Sequence, residues 1–127
     1  NHQIQVIKAF RVEAQGREID TEQIVKECNQ FERTGISALL LDSKTEGMPA
    51  GTGVPFDWEL AKEVKKALSI PLILAGGLNA ENVGKAIEWI DPFGVDVISS
   101  VEGKPGRKHQ GKTREFVQAV RSLEYGY

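Results

Sequence analysis

Four short apolar runs recur along the chain and alternate with longer amphipathic segments. The runs lie near residues 4–10, 38–41, 71–75 and 94–98 and are rich in Val, Ile and Leu. Runs that are apolar at nearly every position are typical of strands covered on both faces of a parallel sheet. The alternation therefore predicts a parallel sheet with right-handed crossovers, in which a helix follows each strand.

Helical periodicity fills the gaps between the runs. The first helix is predicted over residues 21–33, with Asp20 or Thr21 as its amino cap and Gly35 as its stop. The second helix is predicted to start at Asp57 as its cap. The third follows Asn79 and ends at Pro92, and the fourth follows a polar loop from Gly103 to Lys112.

Two α/β architectures fit four strand–helix units. One is an open doubly wound sheet, and the other is half of a TIM (β/α)8 barrel, which takes about 250 residues when complete. The chain has 127 residues, which suits one segment, 1–127, of parallel (βα) units. A lone half-barrel exposes two strand edges and an apolar sheet face. We therefore expect it to bind a missing amino-terminal half-barrel or to self-associate.

Composition limits the function classes. The chain is 40% hydrophobic and 27% charged with a formal net charge of −2, which suits one globular domain and argues against a dedicated nucleic-acid binder. No stretch approaches the roughly 20 apolar residues of a membrane span, so no membrane partner is expected. One cysteine cannot form an internal disulfide, which favours the cytoplasm. The chain enters its first apolar run by Ile4, and we expect a segment of a longer protein.

Polar residues and glycines follow the predicted strands at their carboxyl ends, where α/β proteins place their chemistry. Asp42 ends the second run, and Gly76-Gly77 follows the third. Asp96 alternates with two valines in the fourth run, and Ser99-Ser100 comes directly after it. Backbone amides at the glycines and serines suit a phosphate, and a strand-end aspartate suits acid catalysis.

Each of these residues also has a purely structural interpretation. Asp42 then caps a loop, Gly76-Gly77 makes a tight strand-to-helix turn, and Asp96 is a buried carboxylate bonded to the backbone or a lysine. Cys28 lies on the apolar face of the first predicted helix, so we expect a packing role for it. Trp58 is expected to pack as well.

The loops resemble those of one enzyme family. The motifs that carry the resemblance are Leu-Leu-Asp-Ser at 40–43, Gly-Thr-Gly-x-x-Phe-Asp-Trp at 51–58, Leu-Ala-Gly-Gly-Leu-Asn-x-Glu-Asn-Val at 74–83, Val-Asp-Val at 95–97, Val-Glu at 101–102 and Pro-Gly-Arg-Lys at 105–108. In this order they are similar to phosphoribosylanthranilate isomerases. The resemblance covers the carboxyl-terminal half of that family's barrel, units five to eight.

The resemblance implies an Amadori rearrangement of N-(5-phosphoribosyl)anthranilate in tryptophan biosynthesis, with a phosphorylated small molecule as substrate. It implies that Asp42 is the general acid. The family's cysteine base and its strand-two arginine, which meets the anthranilate carboxylate, belong to strands that this chain does not contain. The substrate and phosphate contacts implied by the resemblance are Gly51, Thr52, Gly76, Gly77, Asp96, Ser99 and Ser100.

The chain departs from the family pattern at a few positions. Ile98 and Ser100 replace a serine and a glycine of the phosphate loop, and His109 stands where the family has an aspartate. If Ser100 stands where the family's glycine has a positive φ or closely contacts the phosphate, we expect strain or weaker phosphate binding. The change at His109 predicts the loss of a loop anchor. No metal or organic cofactor is expected, because His2 and His109 stand alone.

Two other functions remain open on the sequence. One is a noncatalytic phosphate-binding or assembly module, since the base is absent. The other is a different phosphosugar-handling barrel, such as the related histidine-pathway isomerase or indole-glycerol phosphate synthase, which the Phe56-Asp57-Trp58 sequence disfavours.

Overall fold

Strands and helices alternate along the chain as the apolar runs predict. The computed structural model describes residues 4–13, 20–44 and 56–125. The (βα) units comprise β1 Ile7–Glu13, α1 Thr21–Glu32, β2 Ala38–Lys44, α2 Phe56–Ala67, β3 Leu72–Ala75, α3 Val83–Ile90, β4 Gly94–Val95 and α4 Gln110–Tyr125. Between β4 and α4 lie a 3₁₀ turn, η1 Ser99–Val101, and a hairpin of β5 Glu102–Lys104 and β6 Arg107–Lys108.

The first four strands form one parallel sheet in the order β1-β2-β3-β4. Each strand pairs with the next in sequence, and each helix contacts the next helix. The described strands show no reversal of order, which is the feature that distinguishes a barrel segment from a doubly wound sheet. The predicted α/β class with parallel (βα) units is therefore confirmed.

The core lies between the sheet and the helices. Leu39 and Leu41 of β2 are fully buried, and Leu74 of β3 is 1% exposed. They belong to one apolar cluster with helix residues such as Val64 and Val83. Because side chains alternate across a strand, Leu40 and Asp42 lie on the opposite, inner face of the sheet.

Local signals explain how α1 begins and ends. The Asp20 carboxylate accepts a hydrogen bond from the Gln23 amide at 3.2 Å, which confirms Asp20 as the amino cap. Gly35 follows the helix with φ +94°, a left-handed conformation that glycine adopts without strain.

Several predicted boundaries are wrong. β1 begins at Ile7 instead of residue 4 and continues to Glu13, whereas β4 is only Gly94–Val95. Asp57 lies inside α2, which begins at Phe56, so Asp57 does not precede the helix as its cap. The predicted polar loop 103–112 overlaps the β5–β6 hairpin and the start of α4. Within the described ranges, no helix has the length and apolarity that crossing a membrane requires.

Candidate active site

A cavity of about 290 Å³ opens at the carboxyl edge of the parallel sheet. Strand ends and the loops after them contribute its walls, as expected for an α/β site. The described residues that line it are Arg11, Asp42, Ala75, Gly76, Gly77, Leu78, Asp96, Val97, Ile98 and Ser99.

Asp42 is half-buried and lies on the wall of this cavity. Its neighbour Leu41 is fully buried on the helix side, so the alternation of β2 turns the Asp42 side chain to the inner face. The parallel register places Asp42 between Arg11 on β1 and Ala75 on β3. The structure thus brings the predicted acid to the same cavity as the glycine turn after β3.

Two glycines and the side chains of two asparagines fix the conformation of the turn after β3. Gly76 and Gly77 have φ +97° and +68°, so both adopt backbone conformations that favour glycine. The Asn82 side-chain amide donates to the Gly77 carbonyl at 2.9 Å. The Asn79 side-chain oxygen accepts from the amides of Glu81 and Asn82 at 2.9 and 2.8 Å. The turn is therefore both a tight structural turn and part of the cavity wall.

The two serines after β4 have different environments. Ser99 is exposed and lines the cavity, whereas Ser100 is half-buried and its hydroxyl donates to the Leu78 carbonyl at 2.6 Å. Ser100 is outside the cavity lining and, unlike Asp91, has no positive φ. The strain considered for Ser100 is therefore absent, and its role as a phosphate contact stays a prediction.

The remaining predicted contacts are Asp96, Gly51 and Thr52. Asp96 is exposed on the cavity wall, and its amide donates to the Leu74 carbonyl at 2.9 Å. The structure therefore excludes a buried carboxylate at Asp96. Gly51 and Thr52 lie outside the described residues.

Arg11 is a cavity residue that the sequence reasoning missed. It lies near the carboxyl end of β1, in direct register with Asp42. Side-chain alternation could have identified it. Phe10 and Val12 face the helix side, so Arg11 between them faces the opposite side of the sheet. Recognising it required knowing that β1 extends to Glu13.

Comparison with known proteins identifies the family of this site. The family model for N-(5'-phosphoribosyl)anthranilate isomerase matches residues 1–119. The chain belongs to this family. Two isomerases of this name, from Pseudomonas fluorescens SBW25 and Rubrobacter xylanophilus, are 43% and 44% identical to the chain over 122 and 117 residues. These matches cover 96% and 92% of the chain and 53% and 52% of the relatives.

Solved structures of the family have the same arrangement of strands and helices. The Thermotoga maritima phosphoribosylanthranilate isomerase is 35% identical with a TM-score of 0.70, covering 94% of this chain and 53% of that one. A family structure in complex with reduced 1-(o-carboxyphenylamino)-1-deoxyribulose 5-phosphate is 32% identical with a TM-score of 0.68, covering 94% and 50%. The chain thus spans about half the length of the isomerases it matches.

The departure from the family pattern at His109 is accommodated within the fold. The His109 Nδ1 atom accepts a hydrogen bond from the Lys112 amide at 3.1 Å, and the His109 carbonyl accepts from the Thr113 amide at 3.0 Å. The imidazole thus caps the first turn of α4 in the manner of an aspartate. Lys108 donates to the Ile98 carbonyl at 3.1 Å, so β6 supports the cavity loop. His109 therefore itself anchors the start of α4, where the sequence predicts the loss of an anchor.

Cys28 and Trp58 belong to the core, as predicted. They are 1% and 8% exposed. Burial, together with a smaller contribution from the neighbouring Glu27 carboxylate, raises the pKa of the Cys28 thiol from 9.0 to about 11. Cys28 is therefore not the family's base.

The buried thiol should be protected from alkylation. A pKa of about 11 instead of 9.0 lowers the thiolate fraction near pH 8 about 100-fold, and only the thiolate reacts. We expect iodoacetamide to modify Cys28 at pH 8 more than about 100-fold more slowly in the folded chain than in 8 M urea. Mass spectrometry of timed samples measures both rates. Equal rates would contradict the burial of Cys28.

Proposed function

We propose that this chain supplies the acid and phosphate side of an N-(5'-phosphoribosyl)anthranilate isomerase active site, in the carboxyl-terminal half of the barrel. The observation that carries the proposal is that Asp42, Gly76-Gly77 and Ser99 line one cavity. An acid beside an anion-binding turn matches a phosphorylated sugar substrate. Membership in the family supports the reaction and its place in tryptophan biosynthesis in the cytoplasm.

The proposed reaction divides between this chain and the rest of the enzyme. Asp42 protonates the ribose ring oxygen, so that the C1–O bond breaks and a Schiff base forms. A base then removes the C2 proton to give an enolamine. The enolamine loses the proton of its C2 hydroxyl and gains a proton at C1, which gives the ketone of the open-chain product. The turn of Gly76-Gly77 and the loop at Ser99 hold the phosphate through backbone amides. The C2 base comes from the other half of the barrel.

Completion by an amino-terminal half-barrel is part of the proposal. Among the described strands, β1 and β4 each pair on one side only. Apolar side chains remain exposed at the start of the chain, with Ile4 at 89% and Ile7 at 55%. Such edges and surfaces are covered when the barrel closes. A second copy of this chain would also cover these strand edges and apolar side chains, but it would not supply the base that removes the C2 proton.

Complementation tests the proposal. We expect no detectable turnover of N-(5'-phosphoribosyl)anthranilate by the chain alone, and turnover after the amino-terminal half of the Pseudomonas fluorescens relative is added. Product formation is followed by fluorescence loss of the substrate, and sedimentation gives the mass of the assembly. The same amino-terminal half without this chain is the control.

The outcomes separate the proposal from its alternatives. A one-to-one complex that binds inorganic phosphate but has no turnover favours the noncatalytic phosphate-binding module. A stable homodimer that rejects the added half favours self-association. Turnover of a different phosphosugar by the complex would assign the chain to another reaction of this barrel type.

A further inference from the structure

The cavity holds one basic side chain among its described lining residues, Arg11, together with two carboxylates, Asp42 and Asp96. Arg11 is at the β1 end of the wall. Its neighbours Phe10 and Val12 are on the helix side, where the Phe10 ring packs edge-on against Phe31 at 5.9 Å between centroids. The alternation of β1 therefore directs Arg11 to the inner face, beside Asp42.

The order of groups along the wall is set by the order of the strands. Arg11 is on β1, Asp42 on β2, the Gly76-Gly77 turn follows β3, and Ser99 follows β4. Adjacent strands are about 4.8 Å apart, so the backbones of β1 and β4 are separated by about 14 Å across the sheet. A phosphate at the serine loop therefore lies at the opposite end of the strand order from Arg11, and Asp42 lies between them.

The substrate of the proposed function has two anionic groups at opposite ends. Its phosphate is at C5 of the sugar, and the carboxylate of its aromatic ring is beyond C1. If the phosphate binds at the loops after β3 and β4, the C1–O bond of the ribose lies near Asp42 on β2. The aromatic carboxylate then lies next to β1. A guanidinium forms a bidentate ion pair with a carboxylate. Without it, the cavity carboxylates Asp42 and Asp96 would repel the aromatic carboxylate of the substrate.

We propose that Arg11 binds the aromatic carboxylate of the substrate and selects for it. This inference rests on the proposed function, and it assigns to this half of the barrel a carboxylate contact additional to the arginine that the family resemblance places in the other half. Arg11 is then a substrate-specificity residue, while Asp42 performs the proton transfer.

A pair of ligands and three proteins test this assignment. The ligands are reduced 1-(o-carboxyphenylamino)-1-deoxyribulose 5-phosphate and its anilino counterpart without the ring carboxylate. The proteins are the completed enzyme and its Arg11→Gln and Arg11→Lys variants, with calorimetry giving each Kd. We expect Arg11→Gln to weaken the carboxylate ligand about 10- to 100-fold and the anilino ligand less than about 3-fold. Arg11→Lys should weaken the carboxylate ligand less than Arg11→Gln does, because lysine keeps the positive charge but lacks the bidentate geometry of the guanidinium.

Three results would overturn the assignment. Equal weakening of both ligands by Arg11→Gln indicates a structural role, as does a loss of both that Arg11→Lys does not restore. If Arg11→Gln weakens neither ligand, Arg11 does not take part in substrate recognition.

In these cases the proposed function stands if the unsubstituted enzyme binds and turns over its substrate. If the unsubstituted enzyme binds neither ligand, the proposed function itself fails, and the inference with it. A far-ultraviolet melting curve verifies folding, and Arg11→Met provides a second neutral variant.

Discussion

In the completed enzyme, Asp42→Asn is expected to lower kcat about 10²- to 10⁴-fold, the range that a general acid contributes. The amide has nearly the same shape as the carboxyl group but cannot deliver the proton to the ribose ring oxygen. Because Asp42 is half-buried on the cavity wall, the substitution leaves the surrounding core in place. Steady-state turnover of N-(5'-phosphoribosyl)anthranilate measures the effect.

A matched control separates lost chemistry from lost structure. Asp91→Asn makes the same chemical change at an exposed position, where the aspartate pairs with Lys65 at 3.2 Å, and asparagine tolerates the left-handed φ of +55° found there. It should leave kcat within about 2-fold, since exposed pairs contribute little. The Asp42→Asn variant should still bind the reduced product analogue within a few-fold. Full activity of Asp42→Asn would show that another group is the acid.

The second large effect is expected in the core, where Leu41→Ala should destabilise the protein by about 2–5 kcal/mol. Leu41 is fully buried between the sheet and the helices, so its truncation removes apolar contacts and leaves a cavity. Urea unfolding followed by tryptophan fluorescence measures the loss, since the buried Trp58 of the same cluster contributes to that signal.

Two further variants serve as controls for Leu41. Leu123→Ala removes the same atoms from a side chain that is 37% exposed, and it should cost clearly less. Leu41→Met keeps the volume and should cost less than about 1.5 kcal/mol. If Leu41→Ala and Leu123→Ala destabilise equally, the helix-side burial of β2 is wrong, and with it the inward direction of Asp42.

The alternation of units could be predicted from the sequence because it depends on local patterns. Apolar runs mark strands, and helical spacing with Asp20 and Gly35 marks α1 and its ends. Boundaries were less accurate, because strand ends depend on pairing partners. β4 has only its two residues in register with β3, although the apolar run continues to Ile98.

The candidate site could be predicted in part. Asp42, Gly76-Gly77, Asp96 and Ser99 all reach one cavity, because carboxyl ends of parallel strands share an edge. The hydroxyl of Ser100 instead bonds to the carbonyl of Leu78. Two adjacent serines are indistinguishable in the sequence, and only the path of η1 beside the β3 loop separates their environments.

The sequence by itself determined the α/β class, the alternation of strands and helices, and the position of Asp42 at the end of the second apolar run. These properties follow from side-chain alternation and local periodicity, which neighbouring residues specify. Only the tertiary structure decided that Arg11 stands beside Asp42 and that His109 caps α4 with its imidazole. Both depend on register and on loop contacts between distant segments, and these form only when strands pair and helices pack.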